Sequence, residues 1–239
     1  MSQSSTLSIV VLTGAGISAE SGIKTFRDHD GLWENHAIEE VASIEGFRRN
    51  PKLVQEFYNQ RRKQLQGSSI QPNAAHRALV DLEEAWPGEF LLVTQNVDDL
   101  HDRAGSKNLI HMHGELLKAR CEVSERVFPW TGSIESSDRC VCCDRENTLR
   151  PHIVWFGEDP FEMNRIIEAL ENCTVFVSIG TSGTVYPAAG FVECVPPASR
   201  RVEINVAASS VSPQFPERLT GPATECVPRF VAELLSTIY

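Results

Sequence analysis

The chain has 239 residues, 41% of them hydrophobic, and carries a formal net charge of −10. That is enough apolar material for one large domain with a smaller insertion. The acidic balance excludes sequence-independent nucleic-acid binding, which needs a positive surface to displace counterions, and no apolar run reaches the roughly 18–20 residues that cross a bilayer. Residues 1–6 lead at once into the first strand, leaving no length for a signal peptide. The expectation is a soluble, cytoplasmic protein with no direct nucleic-acid or membrane partner.

Apolar strand candidates alternate with helical segments, the pattern of a parallel sheet covered by helices on both faces. The predicted strands are Ser8–Leu12, Glu89–Thr94, Asn108–His111, His152–Trp155, Thr174–Ile179 and Arg201–Ile204. The predicted helices are Pro51–Gln66, Ala74–Trp86, Val97–Ala104, Phe161–Glu171 and Glu225–Ser236. Pro51 suits an opening turn, and Val227, Phe230, Val231, Leu234 and Leu235 recur at helical spacing. Residues 29–73 hold helical material without a strand, and 116–150 are polar, cysteine-bearing and aperiodic. Both segments read as insertions that pack together as a smaller module, here 29–73 with 116–150. The main α/β part then comprises 1–28, 74–115 and 151–239, all within a single domain over 1–239.

The first strand runs into Gly14-Ala15-Gly16-Ile17-Ser18-Ala19, whose spacing fits the dinucleotide fingerprint G-x-G-x-x-A. Small residues there let backbone N–H groups approach a pyrophosphate, and a helix starting near Ile17 would direct its positive end at it. A tight strand-to-helix turn without a ligand is the plainer reading. The continuation through Ser21-Gly22-Ile23 and Phe26-Arg27-Asp28 makes a second small-residue loop, where a dehydrogenase would run into a long helix.

Further constellations sit at predicted strand ends, the edge where open α/β sheets bind ligands. Thr94-Gln95-Asn96-Val97-Asp98 offers amides and a carboxylate for a carboxamide or ribose hydroxyl; Asn96 and Asp98 serve equally well as caps of the next helix. His111-Met112-His113-Gly114 offers a general base, against a structural histidine bonded to backbone, and periodicity does not choose between the two rings. Gly180-Thr181-Ser182 opens another loop of small and hydroxylated residues. Arg150 to Glu158 is an extended apolar stretch with a Gly-Glu turn, either core or an edge for strand addition by a peptide. Tyr58 and Arg61 lie three apart on a helix, a carboxylate clamp in one reading and a solvated basic face in the other.

Seven cysteines is an odd number for a disulfide framework, and four of them, Cys121, Cys140, Cys142 and Cys143, are close in sequence. Gathered thiolates in a strand-poor insertion predict a tetrahedral zinc that staples a module with little core of its own. A Cys140–Cys143 redox pair is the competing reading. Cys173, Cys194 and Cys226 read as free thiols of the core.

Taken together the segments resemble the sirtuins, NAD-dependent protein-lysine deacylases of Rossmann-like fold with a smaller helical and zinc-binding module. The resemblance rests on Gly14-Ala15-Gly16-Ile17-Ser18, Thr25-Phe26-Arg27, Gly31-Leu32-Trp33, Thr94 to Asp98, His113-Gly114, Arg150-Pro151, Phe156-Gly157-Glu158 and Gly180-Thr181-Ser182, in order over nearly the whole chain. The short termini, Tyr58-x-x-Arg61 and the Cys140–Cys143 run look like the bacterial class III branch. The resemblance implies that Gly14, Ala15, Gly16, Ala19, Phe26, Arg27 and Trp33 contact NAD, and that Gln95, Asn96, Val97 and Asp98 line its ribose and nicotinamide pocket. It further implies Gly180, Thr181 and Ser182 at the phosphate-ribose half, with Asn205 and Ala223 near the adenosine end. His113 becomes the general base. Val154, Phe156 and Glu158 lie along the acyl-lysine substrate, and Tyr58 and Arg61 recognise acidic acyl groups such as succinyl or malonyl.

The implied reaction transfers the acyl group to ADP-ribose, releasing nicotinamide, free lysine and O-acyl-ADP-ribose. NAD is consumed as co-substrate, and a structural zinc sits apart from the reaction. A mono-ADP-ribosyltransferase with the same NAD site is the alternative, and a non-catalytic NAD or ADP-ribose sensor a third reading. Two departures stand out. Ala207 occupies the position where the family places an acidic residue for the adenosine ribose. Ser124 and Arg145 stand where two zinc cysteines often occur, leaving Cys121 and Cys140 as the firm ligands and Cys142 or Cys143 as substitutes.

Overall fold

A computed structural model describes residues 7–24, the backbone of 32–33, and residues 36–237. The expected NAD contacts Phe26 and Arg27 lie outside the described residues, and so does the side chain of Trp33. The chain opens with β1 (Ser8–Thr13), then β2 (Leu32–Trp33) and β3 (His36–Ala37), a two-residue antiparallel pair. Three helices follow, α1 (Ile38–Val41), α2 (Ile44–Arg49) and α3 (Pro51–Leu65), then α4 (Ala74–Ala85) and β4 (Glu89–Thr94). Next come α5 (Leu100–Ala104), β5 (Leu109–His111), β6 (Gly114–Cys121), β7 (Val127–Pro129) and β8 (Leu149–Ile153). The chain ends with α6 (Met163–Asn172), β9 (Val175–Ile179), α7 (Phe191–Cys194), β10 (Arg200–Asn205), β11 (Glu217–Thr220) and α8 (Ala223–Ser236).

Six strands form one parallel sheet in the order β11-β10-β9-β1-β4-β5. Counted by their sequence order within the sheet this is 6-5-4-1-2-3, the doubly wound nucleotide-binding arrangement, with its switch point between β1 and β9. β1 lies in the middle and is buried along its whole length. Its alternation sorts the core. Ile9 and Val11 join the layer under α4 and α8, whereas Val10 and Leu12 face Ile166 and Leu170 of α6 and Phe191 of α7.

Local signals set the helix starts. Asn50 accepts from the Leu53 N–H, with Pro51 at the first helical position of α3. Asn73 and His76 cap α4 reciprocally, the Asn73 side chain accepting from the His76 N–H while the Asn73 N–H donates to the His76 ring.

The structure corrects three sequence expectations. No α-helix starts near Ile17; the chain makes two short 3₁₀ turns, Ala15–Ile17 and Ala19–Ser21, and stops at Gly22, whose φ is 89°. The stretch His152–Trp155 is not a strand of the parallel sheet, because β8 pairs antiparallel with β6, which also carries β7. The segment 29–73 includes the β2–β3 pair. The sequence reading also missed β11, an exposed edge strand with no apolar run.

Two smaller cores lie beyond the sheet. Val41, Phe47, Val54, Phe57 and Tyr58 pack with Leu116, Ile153 and Trp155, so α1–α3 are cemented to β6 and to the segment after β8. The second has, among the described residues, only Ala119, Cys121, Ile134, Cys140 and Leu149 as buried members.

Two glycines hold the switch point together. A Cβ on Gly16 would stand 2.6 Å from the Gly180 Cα, and one on Gly180 2.6 Å from the Ile17 nitrogen. Gly180 also has a φ of 63°. Gly180→Ala is therefore expected to cost about 2 kcal/mol or more through strain and collision. Gly132→Ala, with open space around it, is expected to stay within about 0.5 kcal/mol. Urea denaturation of both variants checks the pair.

Candidate functional site

The site is built from loops at the carboxyl ends of β1, β4 and β9. The Gly14 N–H donates to the Ile179 carbonyl and the Gly16 N–H to the Gly180 carbonyl, both at 2.9 Å, so the first loop is laced to the loop after β9. It is laced to the loop after β4 by side chains. The Asn96 amide donates to the Gly14 carbonyl and the Ser18 hydroxyl, both at 3.2 Å, and Ser18 donates to Asp98 at 3.0 Å. All three side chains are buried.

The other Asp98 oxygen accepts from the Leu100 N–H at 3.1 Å. Asp98 thus satisfies the first N–H of α5 and braces the glycine loop. Burial pushes its carboxyl up to about 6, against the pull of the Leu100 and Ser18 hydrogen bonds. Gln95 and Thr181 line one small cavity of about 10 Å³. Val97 packs into the core of the helical module, and its carbonyl accepts from the Leu116 N–H at 2.8 Å.

Beneath this layer lies a set of buried polar residues that the sequence reading did not single out. Thr13 bonds Thr94 at 2.9 Å and the His101 ring at 3.0 Å; the His76 ring lies against His101, tilted by 59° with centroids 4.8 Å apart, and reaches Ser18 at 3.5 Å. Burial holds His76 down at about 4 and His101 well below its ordinary value, so both rings are neutral props. The signal for His76 was its place at the opening of α4, three residues after a capping asparagine.

The two histidines that the sequence left equivalent are separated by their partners. His111 binds Asp102 at 2.9 Å; burial pulls its pKa down, but that carboxylate outweighs it and the net shift is upward. His113 places Nδ1 3.1 Å from the Gln95 carbonyl. A carbonyl only accepts, so Nδ1 carries the proton and Nε2 keeps the lone pair. Burial lowers the His113 pKa, leaving the ring neutral at pH 7 and able to take a proton. Gly114, with a φ of 85°, lets β8 come close: a Cβ there would lie 2.1 Å from the His152 carbonyl. The His113 carbonyl in turn accepts from the Val154 N–H at 2.9 Å, which joins the candidate base to the segment after β8.

Along that segment the side chains part ways. Phe156 is exposed, while its N–H donates to the Ala42 carbonyl at 2.8 Å. Val154 is half-buried. Glu158, expected to lie along the substrate, is turned into the protein. Its oxygens accept from Arg150 at 2.6 and 2.9 Å and from the Trp155 N–H at 2.9 Å. Arg150 and its hydrogen bonds, with help from Arg120, hold the Glu158 carboxyl below its usual range despite burial. The Arg150 guanidinium lies 3.4 Å over the Trp155 ring, and the Trp155 indole donates to the Tyr58 hydroxyl at 3.0 Å.

Tyr58 is accordingly not on an open helix face. It is fully buried, and burial raises its phenol far above the ordinary value, so it stays neutral. Arg61 differs. Its guanidinium lies 4.7 Å over the Phe57 ring, and its Nε and Nη1 are buried without a hydrogen-bond partner among the described residues. Its Nη2 donates to the Gln60 side chain at 3.4 Å on the exposed side.

At the far end of the sheet the Asn205 amide donates to the Thr181 carbonyl at 2.7 Å. Ser182 lies exposed in the same loop, its carbonyl accepting from the Ser210 N–H at 3.0 Å. Ala15 and Gly16 are half-buried and Ala19 is exposed on the second turn. Ala223 begins α8, whose next residue, Thr224, is gripped by Glu20 of the glycine loop at 2.7 and 3.0 Å.

The four cysteines of the insertion converge. Their sulfur atoms all lie within 4.8 Å of one another, with Cys121 and Cys143 3.9 Å apart. A tetrahedron of thiolates at 2.3 Å from zinc has edges of about 3.8 Å. The donor set is all sulfur, and the surrounding core has only five buried members, so the residues fit a structural zinc. The convergence resolves the irregular spacing: Cys142 and Cys143 complete the set beside Cys121 and Cys140, and Ser124 lies 3.0 Å from the Cys142 sulfur. Burial raises the Cys121 thiol, yet hydrogen bonds from Ser124, the backbone at 123–124 and Cys140 bring it down to about 5, favouring the thiolate a metal needs. Four convergent sulfurs replace the pairwise redox reading.

With this geometry established, comparison with known proteins is decisive. A sequence profile described as the Sir2 family matches residues 14–187. The chain belongs to the Sir2 family. An NAD-dependent protein deacylase of Pasteurella multocida (strain Pm70) is 61% identical over 95% of this chain and 97% of its own length. One of Escherichia coli (strain K12) is 58% identical over 95% of this chain and 82% of its own. Among solved structures, a Sir2 homologue in complex with NAD superposes with a TM-score of 0.86 at 37% identity, covering 98% of this chain and 91% of the other. A Sir2 protein bound to a myristoylated histone peptide gives 0.75 at 31% identity, covering 98% and 92%. Among the described residues of this Sir2 protein, no helix is long and apolar enough to cross a membrane.

Two outcomes are expected. If His113 is the proton acceptor, kcat/KM is flat through neutral pH and falls only below about 6.5, because a depressed histidine charges later than a free one; an acid limb centred above 7 contradicts the assignment. Chelation or Cys140→Ser should unfold the small cysteine core while α4 and α8 stay intact, read by proteolysis within 121–149 and by released zinc.

Proposed function

We propose that this Sir2 protein is an NAD-dependent protein-lysine deacylase that removes acetyl and, through Arg61, acidic acyl groups such as succinyl and malonyl. Arg61 carries the acyl assignment. A guanidinium with two buried, unpartnered nitrogens lacks the anion that would satisfy it, and a planar carboxylate matches its fork. Arg61 stands one helical turn after Tyr58, which the Trp155 indole fixes to the segment of Val154 and Phe156.

NAD, as co-substrate, supplies the electrophilic ribose carbon and the hydroxyl to which the acyl group passes. The chain does the rest. Gly14, Ala15, Gly16 and Ala19, with Gly180, Thr181 and Ser182, offer small side chains and backbone groups at the switch point for the phosphates. Phe26, Arg27 and Trp33 belong to the same loop region in this reading. Gln95, Asn96, Val97 and Asp98 border the nicotinamide end, and Asn205 and Ala223 the adenosine end. His113, through Nε2, takes the proton from a ribose hydroxyl. Val154 and Phe156 border the acylated lysine of a protein substrate, and Glu158 shapes that border through Arg150. Single-domain organisation, with the sheet as main body and the helical and zinc parts as a smaller module, completes the reading.

Incubation with labelled NAD and acetyl- or succinyl-lysine peptides tests it. Deacylation yields nicotinamide, free lysine and O-acyl-ADP-ribose in equal amounts, whereas label transferred to protein identifies a mono-ADP-ribosyltransferase. Arg61→Met is expected to lower kcat/KM on the succinyl peptide by about tenfold or more, as a charged hydrogen bond is worth ~1.5–3 kcal/mol. Acetyl-peptide turnover should change by less than about threefold, since it presents no anion to Arg61. Equal losses on both peptides make Arg61 structural.

A further inference from the structure

Beyond the carboxyl ends of β10 and β11 lies a cleft of about 280 Å³ whose lining includes Glu203, Asn205, Ala207, Arg218 and Thr220. The parallel register sets Glu203 against Arg218 and Asn205 against Thr220, so these four side chains share one face at the sheet edge. The Glu203–Arg218 pairing invites an ion pair. It does not form, because Glu203 is buried and its two carboxylate oxygens accept from the Ser209 and Ser212 hydroxyls. Arg218 is left exposed, with no ion-pair partner among the described residues.

The neutral groups are also committed. The Asn205 amide donates to the Thr181 carbonyl, and its oxygen accepts from the Val206 N–H at 2.9 Å. Ala207 is exposed at the rim and brings no functional group. The cleft therefore presents a free guanidinium and no free carboxylate. A ribose hydroxyl is a donor and prefers a carboxylate acceptor; a phosphate monoester is a dianion and prefers an arginine. Nucleotide-binding sheets use these two solutions at a strand end to take a 2′-hydroxyl or a 2′-phosphate.

We propose that this cleft receives the phosphate of a 2′-phosphorylated adenine ribose, so that the protein binds NADP alongside NAD, with Arg218 as the residue that recognises the extra phosphate. The inference rests on the reading that the adenosine half of NAD lies at Asn205. Arg218 touches the phosphate from the open side of β11, and the absence of a side chain beyond Cβ at 207 leaves room for it. Both Glu203 oxygens are taken up by the Ser209 and Ser212 hydroxyls, so Glu203 does not claim the Arg218 guanidinium.

Calorimetry on the full chain with NAD, NADP and inorganic phosphate, together with Arg218→Gln and Ala207→Glu, tests the assignment. Thermal melting first checks that both variants fold; Arg218 sits exposed on an edge strand, so its replacement leaves the core intact. The expected result is NADP affinity within about tenfold of NAD, and a tenfold or greater loss for NADP alone in Arg218→Gln, about 1.4 kcal/mol. Ala207→Glu should tighten NAD and weaken NADP. The proposal is overturned if NADP binds more than about tenfold weaker than NAD in the unaltered protein, or if Arg218→Gln leaves the NADP-to-NAD ratio within that limit. Inorganic phosphate binding with no gain for NADP assigns the cleft to a free anion and equally overturns it. If NAD itself does not bind, the reading of the co-substrate site fails, and this inference with it; that outcome is distinct from NAD binding without NADP.

Discussion

The contact between the loops after β1 and β9 governs this molecule. Gly16 and Gly180 meet backbone to backbone, closer than any side chain permits, exactly where a parallel sheet reverses its winding. Because the two strands pair directly, their loops leave the sheet side by side, and only residues without a Cβ let them share the space. Everything the site does depends on this proximity. It fixes the glycine loop relative to Thr181 and, through Asn205, relative to β10.

A second layer of order comes from polar groups that never reach solvent. Ser18 is bonded on two sides, by Asn96 and Asp98, and has His76 at the edge of bonding distance. Such a network is favourable only when every member is satisfied, so it holds the loop in one arrangement. The candidate base is placed by backbone instead. His113 is held by the Gln95 carbonyl on one side and joined to Val154 on the other. Displacement of the segment after β8 is therefore transmitted to the imidazole by a short route.

Much of this was legible in the sequence, for identifiable reasons. Central strands such as β1 and β9 are continuous apolar runs, and α8 carries its buried positions at helical spacing. Strand-end loops declared themselves by composition. The failures share a cause too. The stretch at β8 looked like a strand of the main sheet because Ile153 and Trp155 are apolar, but β8 pairs with β6, whose Gly114 lets the two backbones come close. β11 escaped notice because an exposed edge strand needs no hydrophobic pattern. The ion pair of Glu158 was not legible, because a carboxylate in an extended segment gives no hint of Arg150, which meets it across the turn at Gly157. His76 and Trp155 owe their importance to partners 58 and 97 residues away, Ser18 and Tyr58, and no local pattern encodes those.

The central position of β1 has a consequence for how the chain is made. Its β4 edge is covered early, since α4 and β4 follow within the first hundred residues. The opposite edge waits for β9, whose first residue is Val175, and Glu20 waits longer still for Thr224. A chain emerging from the ribosome thus carries an unpaired apolar strand edge for most of its synthesis, the kind of surface that recruits wrong partners. Shortening the C-terminus would remove more than a helix: it would take away the last anchor of a loop that was translated first.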